Sequence, residues 1–492
     1  MAGRYRVVMV DITRSTSRAQ DAQERAPGHH PIGLHDYDDL RDEDIVAPEI
    51  QLKRWRPSEI MRLVIVIWAF LSAFLVQVVS KLMNPTSLAW STAAARATSS
   101  AFSQLGPTYA KLGQMIASSP EIFPKVLSDE CQDLLDDVPA FAADRVRATI
   151  EEELRYPIDE LFLDFEDRPM ASASIAQVHG CVLRDGRVAV VKVQRPGLRL
   201  GIDDDLRMQY RLAALVQQTE MGRTMNPMGL IEDLNRSLHE ELNFLLEARS
   251  QHRFRTNISA FGDNTMVTAP EVYWDYCSPK VLCMERLNGM SLDNFKDIRA
   301  RDLDPELLLR RMIKVWCEAA FVHGLFHGDV HAGNLFLLDD DRVAFLDFGL
   351  VGRLPDRLKP AMAQVLRTSA LEPDWVGFVE SWQEAGLLPA DIGSVEDAAA
   401  LVEASFGSMI NQTLQEASVG KVLQNELEMV KNLGGQIDKN LMLISKQLVY
   451  FERYARELAP NWQLAQDLFL LKNVFPEEVA AKAAAEGVTF PD

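Results

Sequence analysis

Apolar and polar positions change their spacing several times along this chain, and the changes mark its segments. Residues 1 to about 50, with "RSTSRAQDAQERAPGHHPIG", show no hydrophobic period and are expected to be mobile apart from a short "YRVVMV" segment. One unbroken apolar run follows, "LVIVIWAFLSAFLVQVV" from Leu63 to Val79, bracketed by Arg62 and Lys81. From Thr86 to about Pro157 apolar residues recur at helical spacing, as in "TYAKLGQMI" and "LSDECQDLLDDV", punctuated by Gly106-Pro107, Pro120 and Pro139. The period then falls to two in "QVHGCVLRDGRVAVVKVQRPG", which predicts a hairpin turning at Asp185-Gly186. A long helical stretch is predicted from Asp203 to about Phe254, and strands return in "VTAPEVYWDYCSPKVLCMERLNG". Helix is predicted again from Pro305 to Gly324, then a loop, a hairpin through Asp339-Asp340-Asp341, and mainly helix from about Arg357 onward.

Length and charge narrow the function classes. At 492 residues the chain exceeds one ordinary core, so several domains or a two-lobed unit with extensions are expected. A net charge of -20 opposes a large phosphate-backbone footprint, which weighs against nucleic acid as a partner. Cys131, Cys181, Cys277, Cys283 and Cys317 are scattered with no CxxC pair, a pattern of reduced thiols in a cytosol-facing protein. The 17 residues from Leu63 to Val79 make a helix of roughly 26 Å, against a hydrocarbon core of about 30 Å. If the remainder faced the cytosol, Lys53, Arg54, Arg56 and Arg62 would lie outside against Lys81 and Arg96 inside, reversing the usual charge bias. A span, a helix lying in the interface and a helix buried on its own protein all fit this segment.

The chemistry is concentrated in "GLFHGDVHAGNLFLLDDDRVAFLDFG", Gly324 to Gly349. Phosphoryl transfer needs a carboxylate beside the attacking oxygen and oxygen ligands for Mg²⁺. Asp329 matches the first, Asn334 and Asp347 the second, within a loop, two paired strands and a DFG turn that resemble a protein-kinase catalytic segment. The competing reading is a metal site on His323, His327 and His331, spaced every four residues, although Gly324, Gly328 and Gly333 interrupt a helix there. Upstream, Lys192 in "VAVVKVQRPG" stands in an apolar strand and needs a partner. Glu247 in "EELNFLLEARS" is the favoured candidate, with Glu240 and Glu241 as competitors, and a solvated helix face is the bland alternative. "MASASIAQVHG" occupies the place of a glycine-rich phosphate-covering turn, with small side chains that still admit a close backbone approach.

Together these residues resemble the UbiB family of atypical kinase-like proteins over about Leu105 to Leu387. The most diagnostic match is "KLGQ", in which Lys111, Gly113 and Gln114 correspond to the family's KxGQ motif. The resemblance implies an α+β, two-lobed protein-kinase-like fold with an N-terminal helical KxGQ extension and a mainly helical C-terminal lobe. Expected boundaries are a mobile segment 1–50, a membrane-associated helix in 51–83, the KxGQ extension 84–165, an N-lobe with a long helical insert 166–290, and the C-lobe with its helical region 291–492. It implies a nucleotide site on the alanine-rich loop (Ala171, Ser172, Ala173, Ser174, Ile175, Ala176, Gln177, Val178), Lys192, Glu247, Met284, Glu285 and Leu287. Asp329 and Lys192 would be catalytic, Asn334 and Asp347 would hold Mg²⁺, and Glu241 and Asn243 stand at the family's ExD triplet.

Three departures accompany the match. Glu241-Leu242-Asn243 lacks the second carboxylate of ExD, the loop carries Ser172 and Ala176 where alanine and glycine are commoner, and "HGDVHAGN" lacks two prolines. No APE-like segment follows DFG, and His327-Gly328-Asp329 lacks the arginine of HRD, which weighs against a conventional protein kinase. The resemblance thus implies ATP and Mg²⁺ as cofactors and an ATPase or small-molecule kinase of isoprenoid-quinone or other lipid metabolism. Its expected partners are a lipid or quinone precursor, the cytoplasmic face of a membrane and other proteins of a lipid-biosynthetic complex. The alternative is a non-catalytic, nucleotide-gated lipid-binding scaffold.

Overall fold

The computed structural model describes residues 50, 52, 55–83, 89–117, 123–131, 140–173, 175–219, 226–410, 430, 433–435, 438–463 and 467–491. The expected mobile segment up to residue 49 and loop residue Ser174 lie outside the described residues. Contacts divide the chain into two compact units, Met1–Leu242 with Tyr273–Cys283 and Asn243–Val272 with Met284–Asp492. Residues 243–272, expected within the N-lobe segment, pack with the second unit.

In the first unit, helix α1 (Pro57–Met83) extends well beyond the apolar run, with Glu59 in its first turn and Lys81 in its last, each favourable to the helix dipole. Its 27 residues span roughly 40 Å. One face docks: Val66, Ala69 and Ala73 pack on Ala97, Ala101 and Phe102 of α2 (Trp90–Leu105) and on Tyr109 of α3 (Pro107–Ala117), beside α4 (Lys125–Cys131). The opposite face stays apolar and exposed, with Met61 at 64%, Trp68 at 69%, Leu75 at 57% and Leu82 at 74%. Glu59, wholly buried, accepts from Arg207 at 2.7 Å, and Arg62 donates to Asp205 at 2.9 Å. Unpaired, either buried charge would cost several kcal/mol, so these pairs register α1 on the helix that carries Arg207 and Asp205.

After α5 (Ala143–Leu154) and the short α6 (Ile158–Leu161) comes a sheet of β1 (Phe162–Phe165), β2 (Ala171–Ser172), β3 (Ala176–Leu183), β4 (Val188–Gln194) and β6 (Val281–Glu285). Its order is β1-β3-β4-β6, with β2 on β3. The predicted hairpin is present: β3 and β4 run antiparallel, with Val182 opposite Val188 and Gly186 turning the chain at φ 88°.

The long helix predicted from Asp203 to Phe254 is instead three: α7 (Leu198–Val216), α8 (Pro227–Glu241) and α9 (Phe244–Ile258). Local caps break it. Asn226 accepts from Gly229 N with Pro227 at the first helical position, and Asn243 accepts from Leu245 N, both at 3.3 Å.

The second unit holds the sheet β5-β10-β9-β7, built from β5 (Val267–Thr268), β7 (Gly289–Ser291), β9 (Leu335–Leu338) and β10 (Val343–Phe345). A two-stranded pair, β8 (Leu325–His327) and β11 (Val351–Arg353), lies beside it in sequence. Besides α9, its described helices are α10 (Phe295–Ala300), α11 (Pro305–Glu318), α12 (Lys359–Ala370), α13 (Trp375–Glu384), α14 (Val395–Ile410), α15 (Lys439–Leu458) and α16 (Pro476–Glu486). Asp304 caps α11 ahead of Pro305, and the helix ends in a π-helical turn, Ala319–His323, stopped by Gly324 at φ 71°. Fully buried Trp316 anchors the core edge-on to Phe326 of β8 and Phe451 of α15, at ring separations of 5.4 and 5.3 Å.

Candidate active site

The second unit assembles Asp329, Asn334 and Asp347 through backbone contacts of the loop between β8 and β9. The Asp329 N–H donates to Nδ1 of buried His327 at 3.2 Å, and His327 Nε2–H donates to the Leu346 carbonyl at 2.7 Å. Those two bonds set the tautomer, and burial pushes the His327 imidazole below its ordinary range. Leu346 N–H in turn donates to the Asn334 carbonyl at 2.8 Å. The residue before Asp347 is therefore held at both its peptide groups by the Asp329 loop.

Asn334 donates from Nδ2 to the Asp329 carbonyl at 3.0 Å, which leaves its Oδ1 as the oxygen for a cation. Asp347 sits at φ 52°, in the left-handed region, with Oδ1 accepting from Gly349 N at 3.0 Å. Aspartate tolerates that backbone better than most side chains do, and the doubly bonded Leu346 holds it there.

Helix α15 completes the surroundings. Gln447 Oε1 accepts the Val330 N–H at 2.9 Å, Tyr454 donates to the Val330 carbonyl at 2.9 Å, and Lys446 Nζ stands 3.6 Å from Asp329 Oδ1. On the other carboxylate oxygen, His331 Nε2 lies 3.5 Å from Asp329 Oδ2, while its Nδ1 accepts from Gly333 N. Gly328 admits this approach, because a Cβ there would meet the Leu350 carbonyl and a Leu443 methyl at 3.1 Å. Also in this unit, Glu247 is buried in the first turn of α9. Glu285 accepts from Arg255 at 3.2 Å and from Glu271 N at 3.1 Å, and Met284 Sδ faces Gln251 Nε2 at 3.5 Å; Leu287 follows, partly buried.

The first unit carries the remaining expected residues. Lys192 lies buried on β4 opposite Val178 of β3. Ala171 and Ser172 form β2, and Ala173 N donates to the Ala176 carbonyl at 2.8 Å, so the alanine-rich segment is a tight hairpin. Arg195 braces it: its side chain donates to the Ala173 carbonyl at 2.9 Å and to Ser172 Oγ at 2.8 Å, and its backbone N–H donates to the Ile175 carbonyl at 2.8 Å. Gln177, fully buried, holds both peptide groups of Phe141 and leans on His179.

Lys111 of α3 pairs with Glu241 at the end of α8, both about four-fifths buried. Gly113 is buried in α3 and Gln114 partly so. Glu241 thus engages Lys111 without a second carboxylate in the triplet, and Asn243 at the third position serves as the cap of α9.

The donor chemistry fits a hard divalent cation such as Mg²⁺: the Asp347 carboxylate and the Asn334 amide oxygen are the residues that would hold it. The histidine alternative does not hold together. Each ring is engaged elsewhere, His323 with Glu318 at 3.3 Å, His327 with Leu346 and His331 with Gly333. Among the described residues no group of three or more His, Cys, Asp and Glu side chains is arranged to hold a metal ion.

Two family models match, the ABC1 atypical kinase-like domain over residues 133–381 and the UbiB helical domain over residues 402–463. "Probable protein kinase UbiB" of Erwinia tasmaniensis is 32% identical over 78% of this chain and 71% of its own length. The chain belongs to the ABC1/UbiB family of atypical kinase-like proteins. Other family relatives include the protein Rv0647c of Mycobacterium tuberculosis, 36% identical over 74% of this chain and 75% of that one. A chloroplastic aarF domain-containing protein kinase of Arabidopsis thaliana is 34% identical over 74% and 72% respectively. Among solved structures, the Rv3197–erythromycin complex of Mycobacterium tuberculosis aligns with a TM-score of 0.47 at 23% identity, over 71% of this chain and 92% of that one.

The ABC1/UbiB kinase-like fold is two-lobed α+β, as the sequence implies. Sequence reasoning missed Lys446, Gln447 and Tyr454, which lie within the span matching the UbiB helical domain. Nothing in linear spacing ties α15 to Asp329. The pairing of buried Gln447 and Tyr454 with the N–H and the carbonyl of Val330 reveals it.

Proposed function

We propose that this chain is a Mg-ATP-dependent atypical kinase or ATPase of UbiB type, acting in isoprenoid-quinone or other lipid metabolism at the cytoplasmic face of a membrane. The observation that carries the reading is the double bonding of Leu346, which ties the Asp329–Asn334 loop to Asp347. Magnesium nucleotide supplies the transferable phosphoryl group and neutralises its charge. Asn334 and Asp347 would hold the metal, Asp329 would orient the acceptor hydroxyl or water and take its proton, and Lys192 with the Ala171–Val178 hairpin would bind phosphates. Glu247, Met284, Glu285 and Leu287 complete the nucleotide site in this reading. His327, buried and neutral, keeps Asp329 and Asp347 in register without taking part in proton transfer.

The membrane part of the reading draws support from α1, the one helix among the described residues long and apolar enough to cross a bilayer. Its ion-paired, docked face and its exposed apolar face favour a helix seated in the interface over a free span. The quinone or lipid acceptor, and partner proteins of a lipid-biosynthetic complex, follow from the family resemblance.

A second reading, a non-catalytic nucleotide-gated lipid-binding scaffold, is favoured by one observation: Arg195 braces the alanine-rich hairpin and would limit its movement over phosphates. Incubation of the purified chain with γ-labelled ATP, liposomes and a lipid extract separates the readings. Label in free phosphate or lipid supports the proposal, and label in protein supports a protein kinase. Bound ATP with no transfer leaves the scaffold.

A further inference from the structure

Between Leu325 and Gly349 the chain has one cationic side chain that is always charged, Arg342, and it is turned to Asp340 at 2.8 Å in the β9–β10 hairpin. Phosphoryl transfer is catalysed mainly by positive charge placed where the transferring group develops negative charge. The Asp329 loop supplies no lysine or arginine for that purpose. Helix α15 does: Lys446 Nζ lies 3.6 Å from Asp329 Oδ1, with its side chain 43% exposed and so able to swing.

Its helix is not free to drift. Gln447, next in sequence, accepts the Val330 N–H, and Tyr454, two turns on, donates to the Val330 carbonyl, both at 2.9 Å. The same helix therefore fixes the peptide beside Asp329 and delivers an ammonium to the Asp329 carboxylate. A surface lysine making a casual ion pair would have no such rigid base, and an exposed pair of this length is worth little to stability.

We propose that Lys446 is a catalytic residue of phosphoryl transfer, a γ-phosphate cation supplied by the C-terminal helical segment instead of the catalytic loop. The inference rests on the kinase or ATPase reading above. In the resting chain the ammonium neutralises Asp329. With nucleotide bound it moves to the γ-phosphoryl oxygens, freeing the carboxylate. The acceptor oxygen then bonds to phosphorus, the bond to the β-phosphate oxygen breaks with its electron pair leaving on ADP, and the acceptor's proton passes to Asp329.

The test compares the full chain with Lys446→Gln, Lys446→Met and Lys446→Arg. Two readouts are taken: phosphate release at saturating Mg-ATP, and the ratio of dissociation constants for a non-hydrolysable ATP analogue and for ADP. The neutral variants should lower turnover by about tenfold or more and weaken the analogue about tenfold relative to ADP, while Lys446→Arg keeps most of both. Turnover and ratio within about twofold of wild type in the neutral variants would overturn the inference, as would an arginine variant as impaired as glutamine. A wild-type chain that binds Mg-nucleotide without turnover overturns the catalytic role of Lys446 together with the kinase or ATPase reading. A wild-type chain that binds no Mg-nucleotide overturns the nucleotide reading and this inference together, whereas normal wild-type binding with unchanged variants overturns the inference alone.

Discussion

Gln447 accepts the backbone N–H of Val330 at 2.9 Å, and neither residue has any exposed surface. The amide is placed by α15 and the N–H by the loop that carries Asp329, so the conformation of the candidate catalytic loop depends on the C-terminal helical segment.

Replacing Gln447 by leucine keeps the volume and removes the acceptor, leaving a buried N–H unsatisfied. The expected loss is about 1–3 kcal/mol, against about 1 kcal/mol for Tyr454→Phe at the carbonyl of the same residue. Urea unfolding measures both. An unchanged midpoint in Gln447→Leu would mean that the contact contributes nothing to the fold.

His327 gives a pH signature. Burial depresses its pKa relative to an unfolded value of about 6.5, so the unfolded chain takes up the proton first as pH falls. The contribution is full above about pH 6.5 and is lost as pH falls below that value toward the depressed folded pKa. In His327→Gln the difference in unfolding free energy between pH 7.5 and pH 5.5 should be smaller than in wild type. Equal slopes would show that the imidazole is not held neutral.

How much of this was legible beforehand varies with the kind of signal. The β3–β4 and β9–β10 hairpins were readable because period-two runs flank a turn-forming Asp-Gly or triple aspartate. The breaks at Asn226 and Asn243 were not, because a single capping side chain overrides an apolar period that continues across it. Asp329, Asn334 and Asp347 were legible from spacing, since one loop and one hairpin separate them. Lys446 was invisible because its relation to Asp329 is made by packing, with no sequence neighbour to report it.

The Lys111–Glu241 pair joins α3 to α8 within the first unit, and both partners are largely buried. A double-mutant cycle with Lys111→Met and Glu241→Gln should give a coupling energy of about 0.5–3 kcal/mol in unfolding. Strict additivity would show that the KxGQ lysine is not held by this carboxylate.

The outer face of α1 predicts lipid binding by area. A Trp68→Glu, Leu75→Glu variant places two carboxylates on exposed positions, so it should float poorly with liposomes while its thermal midpoint stays near that of wild type. Flotation equal to wild type would remove this face from membrane contact.

The most direct measurement of the central claim is thermal unfolding with and without Mg-ATP, in wild type and in Asp347→Ala. A ligand at about one hundred times its dissociation constant adds about 2.7 kcal/mol to the folded state. The account predicts a raised midpoint in wild type and no rise in Asp347→Ala, each chain compared with itself so that loss of the left-handed aspartate is cancelled. A wild-type midpoint indifferent to Mg-ATP, or an equal rise in both chains, would contradict it.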